Sequence, residues 1–169
     1  GMEKAGFLYV ADIDAVDILG LDSDIDPPPL TDETEEPFAG KPGRPNHGIR
    51  IQDILQEGQE ILVQVAKNPL GTKGARITNF ITLPGRYLVY MPTVNHISVS
   101  RRIEEEEEKE RLKTLLGEIG NPGEGYIVRT AGQDATRADF DSDLKFLHRL
   151  WENLKKQSEN LSAPHLVYE

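Results

Sequence analysis

The 169-residue sequence predicts an α+β chain in two units, an all-β piece over 3–83 and an α+β piece of order ββαβα over 85–162. Three observations carry this prediction. Short runs rich in Val, Ile and Tyr, such as 60–67 and 87–91, stop at Asn-Pro or Pro, as strands do. Two stretches further on, 104–119 and 137–160, repeat their apolar residues at helical spacing. Leu83-Pro84-Gly85 punctuates the chain between the two patterns.

The β piece opens on Gly6-Phe7-Leu8-Tyr9-Val10, a short strand in which Phe7 by itself reads as a core residue. Residues 12–48 follow as an insertion. Its Pro27-Pro28-Pro29, Pro37, Pro42 and Pro45, with its density of acids, predict a poorly ordered segment that cannot bury a core. Asp22, Asp24, Asp26 and Glu33 stand at positions 1, 3, 5 and 12 of a calcium loop. Pro27, however, occupies the place where such a loop turns on glycine, so no calcium site is expected. Ile51-Gln52-Asp53-Ile54-Leu55 reads as a helical turn. Residues 60–81 read as a hairpin, with Ile61, Val63 and Val65 on one face and a turn at Asn68-Pro69-Leu70-Gly71-Thr72-Lys73-Gly74. Lys73 by itself is a solvated turn lysine.

In the second unit, Tyr87-Leu88-Val89-Tyr90-Met91 is a strand stopped by Pro92, and His96-Ile97-Ser98-Val99-Ser100 alternates as a half-buried strand does. Glu104 to Glu108 open a helix, where the macrodipole favours acids. Leu112, Leu115, Leu116 and Ile119 give it an apolar stripe. After a strand over 125–130, Thr136 and Asp139 form a capping-box pattern. The helix behind it carries Phe140, Leu144, Leu147, Trp151 and Leu154 as a core-facing seam. Residues 163–169 read as the start of a following domain, with a strand in 163–168.

The composition excludes several classes. There are 19 Lys+Arg and 29 Asp+Glu, a net charge of −10. Ten of those acids lie in residues 12–36, which hold no Lys or Arg, and the remaining 19 balance the bases. Overall acidity therefore argues only weakly against a nucleic-acid partner. With no Cys there is neither a disulfide nor a thiolate metal site. No apolar run spans a bilayer and no signal peptide is visible. A cytoplasmic protein is the expectation. Gly1 ahead of Met2 reads as a residue left before a start codon, and the stretch as a piece of something longer. His47, His96, His148 and His165 are scattered without metal or general-base spacing.

The chemistry concentrates in Ile127-Val128-Arg129-Thr130-Ala131-Gly132. Two β-branched residues run into an arginine, a threonine and a glycine turn, leaving Arg129 and Thr130 at a strand end. An arginine fork matches phosphate or carboxylate oxygens, and Thr adds a hydroxyl donor. The pair suits a terminal phosphate. These six residues alone read rather as an arginine on a solvated strand end.

Six stretches in order change the weight of that reading: Gly6-Phe7-Leu8; Gly58-Gln59-Glu60-Ile61-Leu62-Val63-Gln64-Val65; Gly71-Thr72-Lys73-Gly74-Ala75; Pro84-Gly85-Arg86-Tyr87-Leu88-Val89-Tyr90-Met91-Pro92; Ser100-Arg101-Arg102-Ile103-Glu104; and Ile127 to Gly132. Together they resemble the ribonuclease E/G family of bacterial endoribonucleases, over nearly the whole chain outside the acidic segment. The resemblance implies that the first unit is an S1 domain, an OB-like barrel binding single-stranded RNA, with Phe7 and Lys73 at RNA-contacting positions. It implies that the second unit is a 5′ sensor for RNA carrying a 5′-monophosphate. Arg129 and Thr130 would hold the phosphate, backbone near Gly85 and Val89 would line the pocket, and Arg101 and Arg102 would extend the phosphate path or pair with the glutamates that follow.

The departures bear on activity. The two strands that begin the family's S1 domain are absent before Glu3, so the barrel is expected to be incomplete, with an unpaired edge. The family continues into a nuclease domain whose carboxylates bind Mg2+ and whose cysteines form a Zn2+ link between subunits, implying a homo-oligomeric parent enzyme. None of that domain is present here. No catalytic residue, metal ligand or cofactor is expected in this stretch, and it should not cleave RNA by itself. The competing expectation is a non-catalytic S1-type module for single-stranded RNA.

Overall fold

A computed structural model describes residues 5–10, 13, 50–69 and 73–169, in two compact units, Gly1–Ile81 and Thr82–Glu169. Most of the acidic insertion, with the calcium-loop positions, lies outside the described residues.

The first unit contains β1 (Phe7–Leu8), α1 (Ile51–Ile54), β2 (Gln64–Lys67) and β3 (Arg76–Thr78). Among the described residues its sheet runs β1-β3-β2, with β1 parallel and β2 antiparallel to β3. The predicted helical turn forms because Asp53 accepts the backbone N–H of Arg50 at 2.9 Å, satisfying an end the turn leaves open. The predicted hairpin forms too, with a difference. Its register slips between Val65 and Lys67, and this bulge on an edge strand breaks the alternation. Val65, expected on one face with Ile61 and Val63, is therefore 49% exposed, while the other two are half-buried. Two further expectations change. Phe7 is 46% exposed and is not a core residue. Ile13, expected in the solvated insertion, is buried with Ile54 against Leu8, Val10 and Leu55. An isoleucine surrounded by acids still gains by leaving water when a helical turn offers an apolar face.

The second unit contains β4 (Leu83–Pro84), β5 (Leu88–Met91), β6 (Ile97–Val99), α2 (Glu106–Ile119), β7 (Gly125–Val128) and α3 (Arg137–Glu159). The predicted ββαβα order is present with one strand more. Leu83-Pro84, read as a break, is β4, and the sheet runs β4-β5-β7-β6. Proline is tolerated there because β4 is an edge strand. The register sets Leu88 opposite Val128 and Tyr90 opposite Tyr126, and all four side chains are fully buried on one face. Ile103, Leu112, Leu116, Phe140 and Leu147 are equally buried. The Tyr126 hydroxyl, which burial pushes well above its ordinary pKa, donates to Glu124 at 2.6 Å and lies 3.2 Å from His148 Nε2.

Both helices follow their patterns. Thr136 and Asp139 cap α3 reciprocally, with the Asp139 N–H donating to Thr136 Oγ1 at 3.3 Å. Phe140, Leu144, Leu147 and Leu154 are buried, but Trp151, expected in the same seam, is half-buried with Lys155 Nζ 6.0 Å from its ring centre. Residues 163–169 form no strand, since a strand needs a ladder partner and among the described residues none is offered.

Candidate functional site

The site is built on the β4–β5 hairpin. Leu83 pairs with Tyr90, Pro84 with Val89, and the Gly85 N–H donates to the Leu88 carbonyl at 2.7 Å. This leaves Arg86-Tyr87 as a two-residue turn. Such turns normally use residues of positive φ, typically Asn-Gly. Among the described residues only Gly58, Gly123 and Asp134 have positive φ. What holds the turn is Asp143, on α3 and 8% exposed. Its carboxylate accepts the backbone N–H groups of Arg86 at 3.0 Å, Tyr87 at 2.8 Å and Leu88 at 3.0 Å. Three donors in a row make a small anion cradle, and the chain fills it with its own carboxylate. Gly85 has to be glycine at this approach, since a Cβ there would lie 2.6 Å from Asp143 Oδ2.

Arg129 reaches the same hairpin from β7. Its backbone N–H donates to the Tyr87 carbonyl at 2.8 Å, and its Nη1 donates to the Gly85 carbonyl at 2.6 Å. The side chain is half-buried, and among the described residues that is its one side-chain hydrogen bond. Guanidinium carries five N–H donors, so the Nε and Nη2 hydrogens remain for an anion. Thr130 begins the 3-10 turn Thr130–Gly132, and its hydroxyl lies 3.2 Å from that of Ser100. Ser100 is held beside it by its N–H donating to the Val128 carbonyl at 2.8 Å. The turn packs tightly: a Cβ on Gly132 would meet Val128 Cγ1 at 2.7 Å.

The predicted residues therefore divide. Arg129 and Gly85 come together, while the Thr130 hydroxyl meets Ser100 instead. Both backbone groups of Gly85 are engaged, the N–H by Leu88 and the carbonyl by Arg129. Val89 lies within β5, its partners Pro84 and Ile127 on either side, and is half-buried. Arg101 is exposed and forms no ion pair among the described residues, while two of the neighbouring glutamates pair within α2: Glu106 with Lys109 at 2.6 Å and Glu108 with Arg111 at 2.7 Å. Arg102 is exposed, its backbone N–H donating to Ser100 Oγ at 3.4 Å. The exposed Arg86 guanidinium sits 5.1 Å from the Tyr87 ring centre. It also helps hold Asp139 below the usual carboxylate range, after the larger effects of the Thr136 hydroxyl and N–H.

In the first unit, Phe7 and Lys73 are both exposed. Phe7 is not alone. Tyr9 is 48% exposed, the two rings meet edge to face at 4.7 Å, and the Arg76 guanidinium lies 5.1 Å above the Tyr9 ring. Sequence reading missed Tyr9 and Arg76, although residues i and i+2 of a strand share a face. It also missed Asp143, whose signal was an acid inside the apolar stripe begun by Phe140. Among the described residues no three His, Cys, Asp or Glu side chains gather as a metal site, and no helix is long and apolar enough to cross a membrane. The Mg2+ and Zn2+ sites of the family find no fitting residues there.

Comparison with known proteins shows the family. A family model described as the ribonuclease E/G family matches residues 82–169, the unit that holds the Arg129 site. Ribonuclease G of Haemophilus influenzae is 40% identical over 169 residues, covering 99% of this chain and 30% of that protein. Ribonuclease G of Escherichia coli is 38% identical over 168 residues, 99% of this chain and 31% of that protein. Ribonuclease E of a Synechocystis species is 43% identical over 117 residues, 69% of this chain and 17% of that protein. The chain thus spans under a third of the curated relatives it matches. On the family match over half its length, and on likeness to ribonuclease G from end to end, this chain belongs to the ribonuclease E/G family.

Proposed function

We propose that this stretch is the RNA-binding and 5′-end-sensing part of a ribonuclease E/G-type endoribonuclease acting in RNA processing or decay. The second unit recognises a 5′-monophosphate through Arg129 and Thr130, with Gly85 and Val89 shaping the pocket. The first unit is an S1-type surface for single-stranded RNA, with Phe7 and Lys73 as contacts. Arg101 and Arg102 extend the phosphate path. The stretch presents RNA to an active site elsewhere in a cytoplasmic, homo-oligomeric, Mg2+-dependent parent enzyme and does not cut RNA alone.

One observation carries the reading. The Arg129 guanidinium is tethered at Nη1 to the Gly85 carbonyl at 2.6 Å, which leaves its other donors for an anion. A tethered fork gives up less conformational freedom on binding than a free one. The test is a fluorescence anisotropy titration with one single-stranded RNA sequence carrying either a 5′-monophosphate or a 5′-hydroxyl. The monophosphate should bind tighter by about tenfold or more, since a hydrogen bond to a charged group contributes about 1.5–3 kcal/mol. Equal binding would contradict the sensor assignment.

A second reading, a non-catalytic S1-type module, is favoured by the exposed Phe7–Tyr9 pair with Arg76 stacked on it. On that reading Phe7→Ala and Lys73→Ala abolish RNA binding, and Arg129→Ala has no effect.

A further inference from the structure

We infer that Asp143 is a positioning residue that sets 5′-end selectivity by holding the Arg86-Tyr87 turn, so that the Gly85 carbonyl orients the Arg129 guanidinium. This rests on the end-sensing reading proposed above and adds a residue to it. Asp143 reaches no anion itself, because its two oxygens are taken by three backbone donors of the turn. Its influence passes along a short chain of contacts. Oδ1 takes the Arg86 N–H, Oδ2 takes those of Tyr87 and Leu88, the Gly85 N–H closes on the Leu88 carbonyl, and the Gly85 carbonyl takes Arg129 Nη1 at 2.6 Å.

Every link is short, and Asp143 is the one side chain that accepts the turn's own N–H groups among the described residues. The turn lacks the positive-φ residues that hold two-residue hairpin turns by themselves. Remove the carboxylate and three part-buried N–H groups lose their acceptor at once, which costs more than three exposed ones would. The turn then rearranges to find other acceptors, and the Gly85 carbonyl moves with it. A freed Arg129 keeps its charge, so general attraction to RNA survives. What is lost is the fixed presentation of Nε and Nη2 that matches a terminal phosphate.

Asp143→Asn is close in shape, yet its amide must turn an N–H toward backbone N–H donors in either orientation. The control is Leu154→Ala. It removes a buried side chain from the same helix eleven residues on, about 16 Å away by helical rise. Both variants and the unaltered chain are titrated with the 5′-monophosphate and 5′-hydroxyl RNAs, after circular dichroism has checked folding. The inference expects the affinity ratio to fall to within about twofold of one in Asp143→Asn, with hydroxyl-RNA affinity kept, and to persist in Leu154→Ala. A folded Asp143→Asn with an unchanged ratio overturns the inference alone. So does an equal fall in Leu154→Ala, which would mean general loosening. A ratio of one in the unaltered chain overturns the end-sensing reading, and this inference with it. Should Asp143→Asn not fold, amide hydrogen exchange on the unaltered chain decides: slow exchange at Arg86 and Tyr87 supports the inference, and exchange at open-loop rates overturns it.

Discussion

The two units solve the same problem with different means. The second buries Leu88, Tyr90, Ile103, Leu112, Leu116, Tyr126, Val128, Phe140 and Leu147 completely, under two helices capped or charged at their starts. Among the described residues the first buries fewer large side chains, a small cluster around Ile13 and Ile54 together with Phe80 and Ile81, and leaves Phe7, Tyr9, Ile51 and Val65 facing water, as the second leaves Phe146, Leu166 and Tyr168. The candidate sites differ in the same way. The Arg129 site is a half-buried cation fixed at both main chain and side chain. The Phe7–Tyr9 surface is an open pair of rings. A rigid core suits recognition of one small charged group, where a fraction of an ångström matters. An open aromatic surface suits bases of any sequence, since each offers a ring face.

This contrast can be broken by substitution. The largest effect belongs to the packed core: Phe140→Ala should destabilise the second unit by about 3–5 kcal/mol, read by chemical denaturation. Ile54→Ala should cost about 2 kcal/mol in the first unit, the low end for such truncations, because its cluster is small. Equal costs would erase the contrast. Next comes the aromatic surface. Tyr9→Ala should weaken single-stranded RNA binding by about 1–3 kcal/mol whatever the 5′ end, measured by anisotropy. Thr136→Ala removes the cap of α3 and should cost about 1 kcal/mol, seen in thermal melts. That loss should depend on pH. Asp139 has its folded pKa lowered from 3.8, chiefly by the Thr136 hydroxyl. Its contribution is therefore full above pH 3.8 and disappears as acid takes the pH down through the lower folded value. The melts of parent and variant should converge there. The smallest effect is at Arg137–Glu118, a 2.7 Å pair with both side chains more than half exposed. Glu118→Gln should change stability by no more than about 0.5 kcal/mol, since solvent screens such pairs.

Much of the second unit was legible because its cues are local. The helical stripes of α2 and α3, the Thr136–Asp139 cap and the strand ending at Met91 each announce themselves within a few residues, whereas the strand expected over 125–130 stops at Val128, before the 3-10 turn Thr130–Gly132. The hairpin at Arg86-Tyr87 was not legible. Its turn carries none of the usual residues, and the carboxylate that holds it lies 55 to 57 positions later in the chain. Leu83-Pro84 therefore read as a break when it is a strand. In the first unit the bulge at Val65 defeated a correct alternation, and Ile13 was hidden in an acidic context. The Arg129–Thr130 pair was visible as chemistry from its six residues. Its tether to Gly85, 44 positions earlier, needed the fold.

We propose that the two units read different parts of an RNA, the second its end and the first its bases. The most direct measurement is one anisotropy experiment with four titrations: Arg129→Ala and Phe7→Ala, each against 5′-monophosphate and 5′-hydroxyl forms of one RNA. The account predicts that Arg129→Ala loses affinity for the monophosphate alone, bringing the two forms together, while Phe7→Ala weakens both in equal proportion. If Arg129→Ala weakens both forms equally, or Phe7→Ala affects only one, the division of labour is contradicted.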